Sequence, residues 1–141
     1  LLINHFLINE KWSLVDLPGY GFARKSKKEK KIIEEIITDY FLNRNNINLT
    51  FVLIDLRLKP QKIDLEFMLW LNQNNLQFKI IFTKADKLNK KEFIENPDNY
   101  LKILYNEIGI HPEHFVSSSK SKLGREEILH NISLQMNSKK A

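Results

Sequence analysis

The stretch LTFVLIDLR, residues 49–57, is a compact apolar run with β-branched residues that closes on an acid, Asp55, and a base, Arg57. A run this short and this uniformly apolar reads as a buried strand ending at Asp55. Downstream, Ile63, Phe67, Trp70 and Leu71 recur at helical spacing and predict a helix over 62–72 with those four side chains facing inward. FKIIFT, residues 78–83, reads as a second buried strand. A helix is expected over 91–108, with Pro97 dividing an initial turn from the longer part because proline has no N–H to give the ladder. HFVS, residues 114–117, makes a short third strand, and a last helix after Gly124 carries Ile128, Leu129 and Ile132.

Upstream, the apolar runs LLINHFLI and WSLVD flank Asn9, Glu10 and Lys11, a tight connection that predicts a hairpin. Ser26 and Glu29 have capping-box spacing, in which the hydroxyl accepts a free helix N–H and the carboxylate returns the bond. The helix that follows places Ile32, Ile33, Ile36, Ile37, Tyr40 and Phe41 on one apolar face behind a lysine-rich opening. Strands separated by amphipathic helices define an α/β fold with a mostly parallel sheet covered on both faces.

Composition narrows the function classes. The chain has 141 residues, 43% of them hydrophobic, which suits a single domain. There is no cysteine, so disulfides, thiol nucleophiles and cysteine-held metals are excluded. His5, His111, His114 and His130 are scattered without ligand spacing, and a catalytic metal held wholly by this chain is not expected. No apolar run reaches bilayer length and no export signal is read, which predicts a soluble, cytoplasmic protein with no membrane partner. LLINHF opens without methionine, an expectation of processing or truncation at that end. The 22 basic and 17 acidic residues leave a net charge of +5, which favours polyanions such as nucleotides or RNA and is also found on ordinary soluble surfaces. Polar runs such as NRNNIN and NQNN read as loops.

In open α/β sheets the loops at the strand C-termini bind ligands, and three here are polar and turn-rich: DLPGYG, TKADK and SSSKSKLG. In the first, Asp16 leaves its strand where a carboxylate can hold a magnesium-bound water. Gly19 lets a backbone N–H approach a terminal phosphate. A turn with a solvated aspartate explains the same residues. Tyr20 stands where many phosphate-hydrolysing loops carry a water-orienting glutamine, so intrinsic hydrolysis is expected to be slow or to depend on a group supplied by a partner or ion.

In the second loop, Asp86 can accept two N–H groups from the Watson–Crick side of guanine, a pattern adenine lacks. The Lys84 stem can lie along the purine plane. A charged turn is the alternative. In the third, small residues at Ser118 and Ser119 let a backbone N–H approach a purine carbonyl; a solvated serine turn remains open.

Taken together, INHFLINEKWSLVDLPGYGFA, VLIDLRLKPQKIDLEFMLWL, IIFTKADKL and SSSKSKLG make nearly the whole chain resemble the EngB family of ribosome-assembly GTPases. WSLVDLPGYGFA followed by IDLRLKPQKIDLEF carries the narrow part of that likeness. The resemblance implies the three-layer α/β fold of P-loop GTPases, mostly parallel with one antiparallel edge strand, in a single G domain over 1–141. It implies GTP or GDP with Mg2+ as ligands. Asp16 and Gly19 would serve magnesium and the γ-phosphate, Thr83, Lys84 and Asp86 the guanine, and Ser118 and Ser119 the base-closing loop; no catalytic residue is assigned. The partner it implies is the large ribosomal subunit or its precursor with its rRNA, bound by a monomer.

One part of the family pattern is missing. No GxxxxGK[ST] occurs in these residues, so no phosphate-cradling loop with its lysine and magnesium-binding hydroxyl is read. Family members carry it ahead of the region matched here, so an N-terminally incomplete fold is expected, without first strand, P-loop, first helix and switch I. Two free pairing edges and exposed apolar surface should result. Impaired phosphate binding is expected too. Asp55 and Arg57 are read as a strand-end salt bridge or a solvated turn in preference to site support, and Trp12 and Trp70 as core or loop packing in preference to base-stacking platforms. RKSKKEKK, residues 24–31, is either an RNA contact or a solvated helix opening. A GTPase switch, a nonhydrolytic RNA- or ribosome-binding module and an inactive fragment all remain open.

Overall fold

In the computed structural model, which describes residues 3–20 and 25–138, the chain divides into two compact units, 1–46 and 47–141. Gly21 of the first polar loop and Arg24 of the basic stretch lie outside the described residues.

The first unit contains the expected hairpin. Strands β1 (Asn4–Ile8) and β2 (Trp12–Asp16) pair antiparallel in a register that runs from Asn4 opposite Asp16 to Ile8 opposite Trp12. Asn9 and Glu10 both have positive φ, 50° and 56°, and the Lys11 N–H donates to the Ile8 carbonyl at 3.0 Å. These are the two left-handed residues of a type I′ turn, whose twist matches that of the strands. Helix α1 (Lys27–Asn43) starts at Ser26, whose side chain accepts from the Glu29 N–H at 3.2 Å, the hydroxyl half of the expected box. Ile33, Ile37, Tyr40 and Phe41 are buried, whereas Ile32, expected inside, is 37% exposed. At 100° per residue Ile32 falls about 140° round the helix from Ile37, outside the buried stripe.

The second unit is a parallel sheet in the order β3–β4–β5, with β3 Phe51–Asp55, β4 Lys79–Thr83 and β5 His114–Val116. Helix α2 (Lys62–Gln73) links the first pair and α3 (Lys90–Ile108) the second; α4 (Arg125–Ser138) follows β5. Central strand β4 is covered on both faces, with Ile80, Ile81 and Phe82 all buried. On β3, expected to be buried, Val52 and Ile54 are buried but Leu53 between them is 63% exposed, so only one face of this strand is covered. Among the described residues β3 pairs on one side only, with β4, and β2 pairs only with β1, which gives the two free edges that were expected.

Two helices correct the sequence reading. In α2 the fully buried side chains are Met68 and Leu71; Phe67 and Trp70 are half-buried and stack on each other at 6.3 Å, and Ile63 is exposed. The inward face is therefore centred nearer Met68 than Ile63. In α3, Pro97 does not divide the helix, which runs unbroken from Lys90 to Ile108. Pro97, Tyr100, Leu101 and Leu104 are buried at offsets of three, four and seven, and α3 packs on α2. That burial offsets the roughly 3 kcal/mol a proline costs inside a helix. The helix also starts on a complete capping box between Asn89 and Glu92. In α4, Ile132 is buried, but Leu129 is 46% exposed.

Candidate functional site

The parallel register aligns the strand ends that carry the second and third polar loops. Thr83 stands opposite Asp55, and Phe82 opposite Val116. At the end of β4 the Leu56 N–H donates to the Thr83 carbonyl at 3.0 Å, and the Thr83 hydroxyl donates to the Ile54 carbonyl at 3.4 Å. Thr83 therefore ties β4 to β3. The chain then reverses through Lys84 in the left-handed conformation (φ 66°) into a single 3-10 turn, Ala85–Lys87. That reversal leaves Lys84 exposed, buries Ala85 and leaves the Asp86 side chain 18% exposed.

The loop after β5 is stitched onto this turn. The Ser117 N–H and hydroxyl both donate to the Phe82 carbonyl, at 2.7 and 3.0 Å, and the Ala85 N–H donates to the Ser117 carbonyl at 3.1 Å. Ser118, 2% exposed, donates its hydroxyl to Asp86 Oδ1 at 2.8 Å and accepts from the Ser121 N–H at 3.1 Å. Its own N–H donates to the Leu123 carbonyl at 3.2 Å. Ser119 is exposed. The loop closes at Gly124, where φ is +80° and an added Cβ would lie 2.3 Å from the Val116 carbonyl oxygen. A side chain there would push the serine loop off the end of β5.

The electrostatics keep Asp86 ionised. The Ser118 hydroxyl, hydrogen-bonded to the carboxylate, holds its pKa below the ordinary aspartate value; burial opposes this. The Asp86 backbone N–H and the charges of Lys87 and Lys120 add to the lowering. Lys87 Nζ stands 3.9 Å from Oδ2. A carboxylate offers about four lone-pair directions, so after Ser118 is served Asp86 still has room for two adjacent N–H donors.

Beside it, Arg57 grips Asp55 with Nε at 3.0 Å and a terminal nitrogen at 2.7 Å, and its backbone N–H adds a third bond at 3.0 Å. This is the expected strand-end ion pair. Arg57 lowers the Asp55 pKa, chiefly through the side-chain hydrogen bond, against the opposing effect of burial.

Thr83, Lys84, Asp86, Ser118 and Ser119 are thus gathered at one end of the second unit. Asp16 and Gly19 belong to the first unit, where Asp16 ends β2 and both residues are exposed. Three contributors were not read from the sequence: Ala85, whose small side chain lets the turn close; Ser121, whose N–H steadies Ser118; and Gly124 as a steric requirement. A glycine directly before a helix and a small residue between Lys84 and Asp86 were the available signals. Among the described residues no group of three or more His, Cys, Asp or Glu side chains could enclose a metal, and no helix is long and apolar enough to cross a membrane.

No protein-family model matches the chain. It resembles the solved structure of a probable GTP-binding protein engB, with a TM-score of 0.70 at 17% identity, over 97% of this chain and 84% of that one. It also resembles translation elongation factor SelB from Methanococcus maripaludis in complex with the GTP analogue GppNHp, with a TM-score of 0.69 at 21% identity, over 96% of this chain and 27% of that one. These likenesses show a shared α/β fold.

Sequence relatives are nearer. "Probable GTP-binding protein EngB" from Phocaeicola vulgatus is 58% identical over 129 residues, 92% of this chain and 64% of that protein. The protein of the same name from Bacteroides fragilis (strain ATCC 25285) is 52% identical over 142 aligned positions, 99% of this chain and 71% of its own length. The chain belongs to the EngB family. It spans 64% of the length of the first of these relatives and 71% of the second.

Proposed function

We propose that the Asp86 cradle binds the guanine base of GTP or GDP, and that the chain is the base-selecting part of a GTPase switch serving assembly of the large ribosomal subunit in the cytoplasm. The observation that carries this reading is the Ser118–Asp86 hydrogen bond at 2.8 Å, which fixes an ionised carboxylate at a strand C-terminus with two acceptor positions to spare. Guanine presents two neighbouring N–H donors to such a group; adenine presents a donor beside an acceptor, which would face the carboxylate unpaired. The exposed Lys84 stem covers the purine face, and the Ser119 backbone closes on the base carbonyl. The relatives from Phocaeicola vulgatus and Bacteroides fragilis, each named a probable GTP-binding protein EngB, support the reading.

In this proposal residues 1–141 belong to a single G domain, and the protein acts as a monomer. Asp16, an exposed carboxylate at the end of β2, suits a magnesium that keeps most of its water and rests on phosphate. Bound there, the ion would neutralise phosphate charge. Gly19 gives the terminal phosphate access to a backbone N–H. Tyr20 lacks the amide of a water-orienting glutamine, so hydrolysis is slow. The 141 residues contain no GxxxxGK[ST] stretch, so their own grip on phosphate is weak and the base supplies most of the selectivity. Titration with GDP and ADP under identical conditions tests the proposal. Preference for GDP by tenfold or more, as an estimate from one to two charge-assisted hydrogen bonds, supports it, and equal binding sinks it.

A further inference from the structure

The net charge of the chain is concentrated in eight residues. Residues 24–31 hold six basic side chains and one acid, a balance of +5 that equals the net charge of the whole chain; the other 133 residues carry 16 of each sign. Lys27, Lys28, Lys30 and Lys31 occupy the first two turns of α1 and are all exposed. No ion pair joins any of the four to an acid among the described residues, although Glu34 and Glu35 lie four residues beyond Lys30 and Lys31.

This order is unfavourable for the helix itself. Cations at a helix N-terminus oppose its dipole, a lysine preceding a glutamate at i,i+4 is the weaker orientation, and Lys27 and Lys31 repel at the same spacing. The first free N–H groups are partly served by Ser26, so the lysine side chains are the groups available to a ligand.

We propose that this face of α1 binds the phosphate backbone of RNA. The apolar face of α1, Ile33, Ile37, Tyr40 and Phe41, is already buried and is not free to enter a bilayer as a membrane-surface helix requires. Lys27, Lys28, Lys30 and Lys31 include none of the aromatic or arginine anchors that carry most protein interfaces. What remains is a row of point charges suited to a polyanion of regular spacing. The choice of RNA as the polyanion rests on the ribosome-assembly reading above. Lys27 follows Gly19 by eight positions in the sequence, so in this proposal the patch can report the state of the loop assigned to the γ-phosphate to RNA.

The test is fluorescence anisotropy of the purified protein with a labelled RNA duplex of about 20 base pairs, titrated across salt concentrations. Two variants are compared: Lys27→Gln/Lys28→Gln/Lys30→Gln/Lys31→Gln, and a control on α3, Lys90→Gln/Lys91→Gln. The α1 variant should lose at least about tenfold in RNA affinity near 100 mM salt, and its log K against log salt slope should shrink by about 3, while the control keeps both. Lys28→Gln/Lys31→Gln, which preserves more of the helix, should lose about half as much slope. Unchanged RNA binding in the α1 variants, absence of RNA binding by the parent protein, equal loss in the control, or stronger binding to phosphatidylglycerol vesicles than to RNA each overturns the proposal. GDP binding is read on the same samples. Lysine-dependent RNA binding without GDP binding would remove the nucleotide-switch reading and leave the RNA surface standing.

Discussion

Ser118 Oγ lies 2.8 Å from Asp86 Oδ1, joining the loop after β5 to the turn after β4 through a serine that is 2% exposed. The same oxygen accepts from the Ser121 N–H, so one hydroxyl sets both the direction of the carboxylate and the path of its own loop. Ser118→Ala should weaken GDP binding by about tenfold, the value of one hydrogen bond to a charged group. The sign of the pH effect follows from the lowered Asp86 pKa. The ionised state persists above the ordinary value of 3.8 and is lost only as pH falls through the lower folded value. Without Ser118 that loss moves to higher pH, so acid titrations of GDP binding should show the variant failing first.

Gly124→Ala places a Cβ 2.3 Å from the Val116 carbonyl oxygen at a φ of +80°. The backbone must shift, and the serine loop moves with it. A stability loss of roughly 2–4 kcal/mol is expected from left-handed strain plus the clash. Thermal or urea unfolding checks it; a loss below 1 kcal/mol, taken as an approximate limit, would show that the loop relaxes freely.

Tyr100 is 3% exposed, and its hydroxyl has no hydrogen-bond partner among the described residues; burial drives its pKa upward. Its ring sits edge-on to Phe82 at 5.3 Å, an arrangement phenylalanine can keep. Tyr100→Phe should be neutral or stabilise by about 1 kcal/mol, since an unsatisfied buried hydroxyl costs about 1–3 kcal/mol. Clear destabilisation on urea unfolding would mean that the hydroxyl is served.

Glu10 has a φ of 56° beside Asn9 at 50°. Glu10→Gly creates the asparagine–glycine pair favoured in type I′ turns and should raise stability by about 0.5–1 kcal/mol, the relieved strain less the added freedom of the unfolded chain. The shift in melting temperature reads it directly.

The strands and their polar ends were legible because a five-residue apolar run such as KIIFT in β4 has few alternatives once helices flank it. Helix faces were less so. Ile63 and Met68 are both apolar, and only packing of α2 against α3 decides which turns inward. Pro97 broke a local rule that tertiary burial overrode. At the candidate site the residue types were readable but the division of labour was not. Ser118 and Ser119 are identical side chains in sequence, and the path of the loop between Val116 and Gly124 buries one and exposes the other. Asn89 and Glu92 repeat the spacing of Ser26 and Glu29, yet the later pair forms the complete box.

Base selection by Asp86 is the central claim, and equilibrium binding of GDP, XDP and ADP to the parent protein and to Asp86→Asn tests it most directly. Xanthine replaces one guanine N–H donor pattern with a carbonyl that an asparagine amide can serve. The account predicts GDP preference in the parent, a loss of about 100-fold in GDP affinity in the variant from two charge-assisted bonds, and a shift toward XDP. Unchanged GDP affinity in Asp86→Asn, or equal binding of GDP and ADP by the parent, would contradict it.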